Sequence, residues 1–183
     1  LHRTTIQLLS ETAGADGTVL VLGAGGGHEV KAFAEARPTW RMIAVDPAPE
    51  MINAAKQKLG ETQANIEWLE GFIEDAPIIQ ADAATCLLTL HVIADDATKI
   101  ETLKQVRARL KPGALFALVD NCIEIGSASA DRWLNHYVQY AVDSGFPREQ
   151  AELFRGKLED ARTTRSPEQE EQLLRDAGFH DIE

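Results

Sequence analysis

The sequence predicts a doubly wound α/β fold around a mostly parallel sheet, on three observations. Val19-Leu20-Val21-Leu22 is an unbroken apolar run, the pattern of a strand covered by helices on both faces. A glycine-rich turn from Gly23 to Gly27 follows it and leads into a helical pattern with Val30, Phe33 and Ala34 on one face. Beyond it, apolar strand-like runs alternate with helical stretches as far as residue 119, the order expected of parallel strands joined by crossover helices. A length of 183 residues suits one domain with one large core, and no repeat, low-complexity tract or second boundary divides residues 1–183.

Each element has its own signal. Residues 2–12 carry Ile6, Leu8 and Leu9 and read as a helix packed beside the sheet; 13–17 is a turn and 18–22 the first strand. The first crossover helix covers 27–36, and Pro38 marks its end because proline cannot continue the hydrogen-bond ladder. Strand two is 40–45. Asp46-Pro47-Ala48-Pro49 opens the next helix, which runs to Leu59 before Gly60, with proline well tolerated in its first turn. Strand three is 66–70 with 71–75 as its exit loop, and strand four is 82–90, nearly all apolar and therefore central. The helix 97–110 places Ile100, Leu103, Val106 and Leu110 on one face, and Lys111-Pro112-Gly113 ends it and feeds strand five, 114–119. Two helical patterns follow, 131–142 with Trp133, Leu134, Tyr137, Val138 and Ala141 on one face, and 147–158. Ser166 and Gln169 form a capping box for a last helix that Gly178 terminates, and 181–183 reads as the start of a sixth strand. The chain starts at Leu1 and stops within that strand, so flanking segments are expected to be missing.

The glycine turn is where a ligand belongs. Unpaired N–H groups and the positive end of a helix dipole meet there, and absent Cβ atoms let a small molecule lie against the main chain. The dinucleotide fingerprint G-x-G-x-x-G fails, because its third glycine position is His28; the pattern present is G-x-G-x-G, at Gly23, Gly25 and Gly27. Nineteen residues beyond Gly27, strand two ends in Asp46, a carboxylate placed to accept hydrogen bonds from both hydroxyls of a ribose. Asp46 also reads as a helix N-cap, and the two roles are compatible.

With these two motifs the sequence resembles the class I S-adenosylmethionine-dependent methyltransferases, over residues 18–120 and more loosely over 166–182. The resemblance implies a Rossmann-like sheet, with 18–120 as cofactor-binding core, 124–165 as a helical lid inserted after strand five, and 166–183 as the last helix, with strands six and seven largely missing. It implies S-adenosyl-L-methionine as cofactor and S-adenosyl-L-homocysteine as product. Gly23, Ala24, Gly25 and Gly27 would wrap the methionine and ribose, Asp46 and Pro47 the sugar, Met51, Phe72 and Ile73 the adenine, with Leu90 beside the transferred methyl. Met51 reads equally as core filler. Two positions depart from the family. Phe72 stands where an acid commonly contacts the adenine amino group, so main-chain groups of Phe72 and Ile73, or the carboxylate of Asp75, are expected to replace it. Val21 stands where an acid commonly helps hold the methionine amino group, for which main-chain carbonyls or Glu29 are the alternatives; an acid in a helix's first turn is also favourable on its own.

Methyl transfer from a sulfonium needs position, a dry pocket and sometimes a base, but no triad. His91, leaving the carboxyl end of strand four, is the candidate base or orienter, with Asp120 and Tyr137 as alternatives; His91, Tyr137 and Arg155 are the candidate acceptor contacts, and His136 and Asn135 could face the same pocket. Arg155, Lys157, Arg162 and Arg165 make 155–165 locally basic, which reads as a solvated charge run or as a site for a carboxylate or phosphate. The stretch from Arg155 to Ala177-Gly178-Phe179 also resembles carboxy-S-adenosylmethionine synthase, in which an arginine matched by Arg155 binds the cofactor's extra carboxylate.

Composition narrows the partners. A formal net charge of −11 disfavours nucleic-acid substrates, and no run is long and apolar enough to suggest a membrane span or signal peptide. Cys86 and Cys122 read as buried thiols of a reduced, cytoplasmic protein, without metal-ligand spacing. The expectation is a methyltransferase acting on a small molecule, with a homodimer as an option. The alternatives are a carboxy-S-adenosylmethionine synthase, a binding protein without turnover and, more remotely, a nicotinamide-dependent oxidoreductase.

Overall fold

The computed structural model describes residues 1–63, 65–123, 126–159 and 165–183. Their contacts group the chain into two compact units, residues 1–90 with 101–119, and residues 91–100 with 120–183.

The first unit is built on a five-stranded parallel sheet in the order β3-β2-β1-β4-β5. Its strands are β1 (Thr18–Leu22), β2 (Arg41–Asp46), β3 (Ile66–Glu70), β4 (Ala81–Leu87) and β5 (Leu110–Val119). The order reverses at β1, so the gap beside its carboxyl end is a topological switch point, where open α/β sheets bind ligands. Helices α1 (His2–Ala13), α2 (His28–Ala36) and α3 (Pro49–Leu59) belong to this unit, as does the carboxyl part of α4 (Asp96–Ala108). Leu9, Val19, Val21, Val30, Phe33 and Trp40 are fully buried in one core, with Trp40 edge-on to Phe33 at a centroid distance of 6.1 Å. Covering helices account for the unbroken apolar strands, since β1 from Val19 and β2 from Met42 onward are buried on both faces.

Several expected boundaries move. Strand four ends at Leu87, not residue 90, because Leu88 takes a left-handed φ of 54° while its N–H donates to the Val119 carbonyl at 2.7 Å. Residues 90–92 then form a 3₁₀ turn. Strand five begins at Leu110 rather than 114, yet the expected break at Lys111-Pro112-Gly113 is real in another form. Leu110 pairs with Ala81 and Leu115 with Ala83, so the residues between have no partners in the ladder. Proline has no N–H to give there, and Gly113 sits at φ 77°. The helix before it buries Leu103 and Val106 as expected, but Lys99 within it and Arg109 just past its end are buried as well, both of which periodicity assigns to solvent. Arg109 is 2% exposed, and its guanidinium donates to the carbonyls of Glu74, Ala76 and Gln105, tying down the loop after β3.

The second unit contains α5 (Ala128–Asp143), α6 (Arg148–Leu158) and α7 (Pro167–Asp176). Ile123, Ala130, Leu134 and Leu158 form a small core under α5 and α6. Ser166 caps α7 and Gln169 completes the capping box, as the sequence predicts, with Gly178 left-handed at φ 91° beyond its end. The sixth strand is not formed: 181–183 joins no strand ladder among the described residues, and a strand is defined by a neighbour's ladder. Cys86 is buried but Cys122 is exposed, because it lies past the end of β5 in a single bridge with Arg165. No helix is long and apolar enough to cross a membrane among the described residues.

Candidate functional site

The three turn glycines do different work. Gly23 and Ala24 both donate to the Val45 carbonyl, at 2.9 and 3.0 Å, which pins the turn to the end of β2. Gly23 (φ 73°) packs so closely that a Cβ would lie 2.1 Å from Thr89 Oγ1, and one on Gly27 (φ 74°) would lie 2.6 Å from the Ala55 Cβ of α3. At Gly25 (φ 48°) the nearest atoms to such a Cβ would be the Gly23 carbonyl at 3.7 Å and Met51 Cε at 3.8 Å. Gly23 and Gly27 are therefore glycine for packing, while Gly25 keeps a face of bare main chain open. Ala24 is buried and offers only its main chain.

Asp46 reaches into this turn. It is 7% exposed, and its Oδ2 accepts from Gly25 N at 2.7 Å while Oδ1 accepts from Ala48 N at 2.9 Å. The second bond makes an Asx turn ahead of α3, whose N-cap is Ala48 rather than Asp46. Each oxygen retains a further lone pair, the acceptor capacity that a vicinal diol requires. Pro47 is exposed beside it. Met51 is 42% exposed with its methyl over the turn, so it lines a surface instead of filling the core. Ile73 and Leu90 are buried, whereas the Phe72 ring is exposed. The Phe72 N–H is already donated to Asp75 Oδ2 at 2.9 Å, so this N–H is engaged, while the Asp75 oxygen keeps a further lone pair as those of Asp46 do.

The first turn of α2 carries a buried acid. Glu29, the second residue of α2, is 6% exposed, and burial pushes its carboxyl up to about 7, opposed by the hydroxyl of Thr85 on β4. That hydroxyl lies outside ordinary hydrogen-bonding geometry, and neither Glu29 Oε1 nor Thr85 Oγ1 has a partner among the described residues.

In the second unit His91 Nδ1 makes a short contact with Asp120 Oδ1, which also accepts from Asn121 N at 2.8 Å. Asp120 is almost wholly buried and His91 about one-fifth exposed. A carboxylate on Nδ1 holds the proton there and turns Nε2, with its lone pair, outward, the arrangement of an oriented general base. The sequence reading treats these two residues as alternatives, and the structure makes them a pair. Tyr137 lies in an aromatic stack between Trp133 and Phe154, at centroid distances of 5.6 and 5.9 Å, and packs on the small core. His136 and Asn135 are exposed. Arg155 donates through Nε to Glu159 at 2.9 Å and through Nη1 to Asn135 at 2.6 Å, which leaves further N–H groups of its guanidinium, and Arg165 donates twice to Asp96. Arg162 lies outside the described residues. Lys99 and Glu170 form a buried pair at 3.2 Å.

A family model, described as a methyltransferase domain, matches residues 20–116, more than half of the chain. The chain belongs to the class I S-adenosylmethionine-dependent methyltransferases. Among relatives, it is 43% identical over 63 residues to the malonyl-[acyl-carrier protein] O-methyltransferase of Anoxybacillus flavithermus, covering 34% of this chain and 24% of that one. It is 20% identical over 177 residues to the carboxy-S-adenosyl-L-methionine synthase of Campylobacter lari, covering 97% of this chain and 75% of that one. The solved structure of the YcgJ protein from Bacillus subtilis shares the fold, with a TM-score of 0.65 at 24% identity over 98% of this chain and 69% of that one. The chain thus spans about a quarter of the first relative and three-quarters of the second.

The family's cofactor is S-adenosyl-L-methionine, and the first unit of this chain suits it on physical grounds. Gly25 offers an open main-chain face, Asp46 a buried pair of acceptors and Met51 an apolar surface. Sequence reasoning passes over Leu88, Thr89 and Arg109. Only the three-dimensional approach of Thr89 to Gly23 gives that threonine a purpose, and no local pattern announces it.

Proposed function

We propose that the protein transfers a methyl group from S-adenosyl-L-methionine to a small-molecule acceptor. The observation that carries this reading is the bridge from Asp46 to Gly25, which ties the acid ending β2 to the open face of the glycine turn. Gly23, Ala24, Gly25 and Gly27 hold the methionine and ribose side, Asp46 and Pro47 the sugar, and Met51, Phe72 and Ile73 the base, with Leu90 next to the methyl. When bound, the cofactor supplies a methyl group already activated by its sulfonium. His91, oriented by Asp120, takes the acceptor's proton at Nε2, and Tyr137 and Arg155 contact the acceptor. A chain this acidic, with a formal net charge of −11, favours a small acceptor over a nucleic acid. The reading places the protein in the cytoplasm, with residues 124–165 as the acceptor-recognition segment of a single catalytic domain.

A second reading, carboxy-S-adenosylmethionine synthase activity, is favoured by the length of the Campylobacter match and by Arg155 on α6. Mass spectrometry of the nucleoside that copurifies with the full-length protein separates the two. S-adenosylmethionine or S-adenosylhomocysteine supports methyl transfer, the carboxylated cofactor supports the synthase, and failure of the wild-type protein to bind any of them on calorimetric titration overturns both.

A further inference from the structure

The glycine turn is anchored from two sides. At the end of β2, Val45 and Asp46 take the N–H groups of Gly23, Ala24 and Gly25. The Gly27 N–H donates within the turn, to the Ala24 carbonyl at 3.0 Å. Gly26 is held from α3 instead: its carbonyl accepts from Lys58 Nζ at 2.7 Å. The same ammonium lies 2.7 Å from Nε2 of His28, the first residue of α2. An ammonium has donors only, so His28 accepts at Nε2 and carries its proton on Nδ1. One side chain of α3 thus links the middle of the turn to the start of the helix that follows it.

Met51, Ala55 and Lys58 stand at i, i+4 and i+7, the spacing of one helix face. A Cβ on Gly27 would meet Ala55, and one on Gly26 would lie 3.8 Å from Met51 Cε and 3.7 Å from Lys58 Nζ. The face of α3 therefore runs along the turn, and Lys58 supplies the hydrogen bonds of that contact. A lysine that only covers a surface extends into water, whereas this one gives up rotamer freedom to reach a main-chain oxygen and an imidazole. Gly25, Gly26 and Gly27 in succession have the widest conformational freedom a backbone allows. Ordering them only when a ligand arrives lowers affinity, and fixing the middle one beforehand raises it. We propose that Lys58 is a positioning residue for the cofactor, an inference that rests on the S-adenosylmethionine reading above. It clamps Gly26 to His28 so that Gly25 keeps the main-chain conformation against which the ligand lies, and it acts through the turn, not on the ligand.

The experiment pairs two measurements on the full-length protein: titration calorimetry with S-adenosyl-L-homocysteine, and amide hydrogen exchange of the unbound protein at Gly25 and Gly27. Lys58→Met removes the ammonium and keeps an apolar stem; Lys58→Arg keeps the charge and the donors. For Lys58→Met the expected result is about fivefold or greater weakening toward S-adenosylhomocysteine, with exchange at Gly25 and Gly27 about threefold or more faster and exchange in β1 and β4 unchanged. Lys58→Arg is expected to restore most of both. Unchanged binding in Lys58→Met overturns the assignment. Weakened binding with unchanged exchange in the turn overturns it too, since the lysine then acts on the ligand directly. Faster exchange throughout the first unit, or an arginine variant no better than methionine, leaves Lys58 a general stability residue and equally overturns it. A wild-type protein that binds no S-adenosylhomocysteine overturns the cofactor reading, while the exchange measurement, made without ligand, still tests the clamp by itself.

Discussion

Around the glycine turn, polar groups are held by main chain: Val45 O takes two N–H groups, and the Asp46 carboxylate takes two more. In residues 91–100 and 120–183 the contacts run from side chain to side chain, His91 to Asp120, Lys99 to Glu170, Arg155 to Glu159, Arg165 to Asp96. The first arrangement depends on backbone dihedrals and so leaves its mark at fixed positions in the sequence. The second depends on which side chains the fold brings together. It is open to replacement one pair at a time, which is what the acceptor-recognition role proposed for this region would require.

The sharpest way to break this contrast is at the glycines. Gly23→Ala and Gly27→Ala each force a Cβ into Thr89 or Ala55 at a left-handed φ, and each is expected to destabilise the fold by more than about 3 kcal/mol in thermal or urea melts. Gly25→Ala has space and bears only the left-handed penalty of about 1–2 kcal/mol, yet it fills the open face and should weaken S-adenosylhomocysteine binding about a hundredfold. Parallel losses of stability in all three variants would remove the distinction drawn between them.

In the second unit, cutting His91 back to alanine is expected to lower kcat about 10²–10⁴-fold, and Asp120→Asn to follow it in part, with cofactor affinity within about twofold of wild type. The buried pair gives a larger structural effect than any exposed one. Lys99→Met leaves Glu170 without its cation and should cost about 3–5 kcal/mol, whereas joint replacement of both by apolar residues should recover most of it. Recovery can be read directly from urea midpoints.

A smaller effect lies in the first turn of α2. Glu29 has its folded pKa raised from 4.5 to about 7, so the folded state binds the proton more tightly than the unfolded chain. Its contribution is fully present below about pH 4.5 and is lost as pH rises through 7, a decline of up to about 3 kcal/mol. Glu29→Gln should flatten that part of the unbound protein's stability profile between pH 5 and 8 in thermal melts. At the bottom of the scale, the exposed pair of Arg175 and Glu171 on α7 should give about 0.3 kcal/mol when either is replaced by alanine.

Most of the fold is legible in the sequence because its signals are local. Apolar runs mark β1 to β4, Pro38, Pro49 and Gly60 bracket the helices, and Ser166 with Gln169 announces α7. The boundaries that moved did so for tertiary reasons. Leu88 turns left-handed with its N–H on Val119, and the residues around Pro112 are assigned to a strand whose ladder skips them.

By itself the sequence determined a parallel α/β sheet, a glycine turn of G-x-G-x-G spacing and an acid one strand away, because strand period, helix punctuation and positive φ act through a few neighbouring residues. Tertiary structure alone decided that Gly23 answers to Thr89, that His91 and Asp120 act as a pair, that Tyr137 lies in an aromatic stack, and that Lys99, Arg109 and Glu29 are buried. These depend on side chains distant in the chain meeting in a low-dielectric interior, where a charge is tolerated only beside its partner, and no local pattern encodes that meeting.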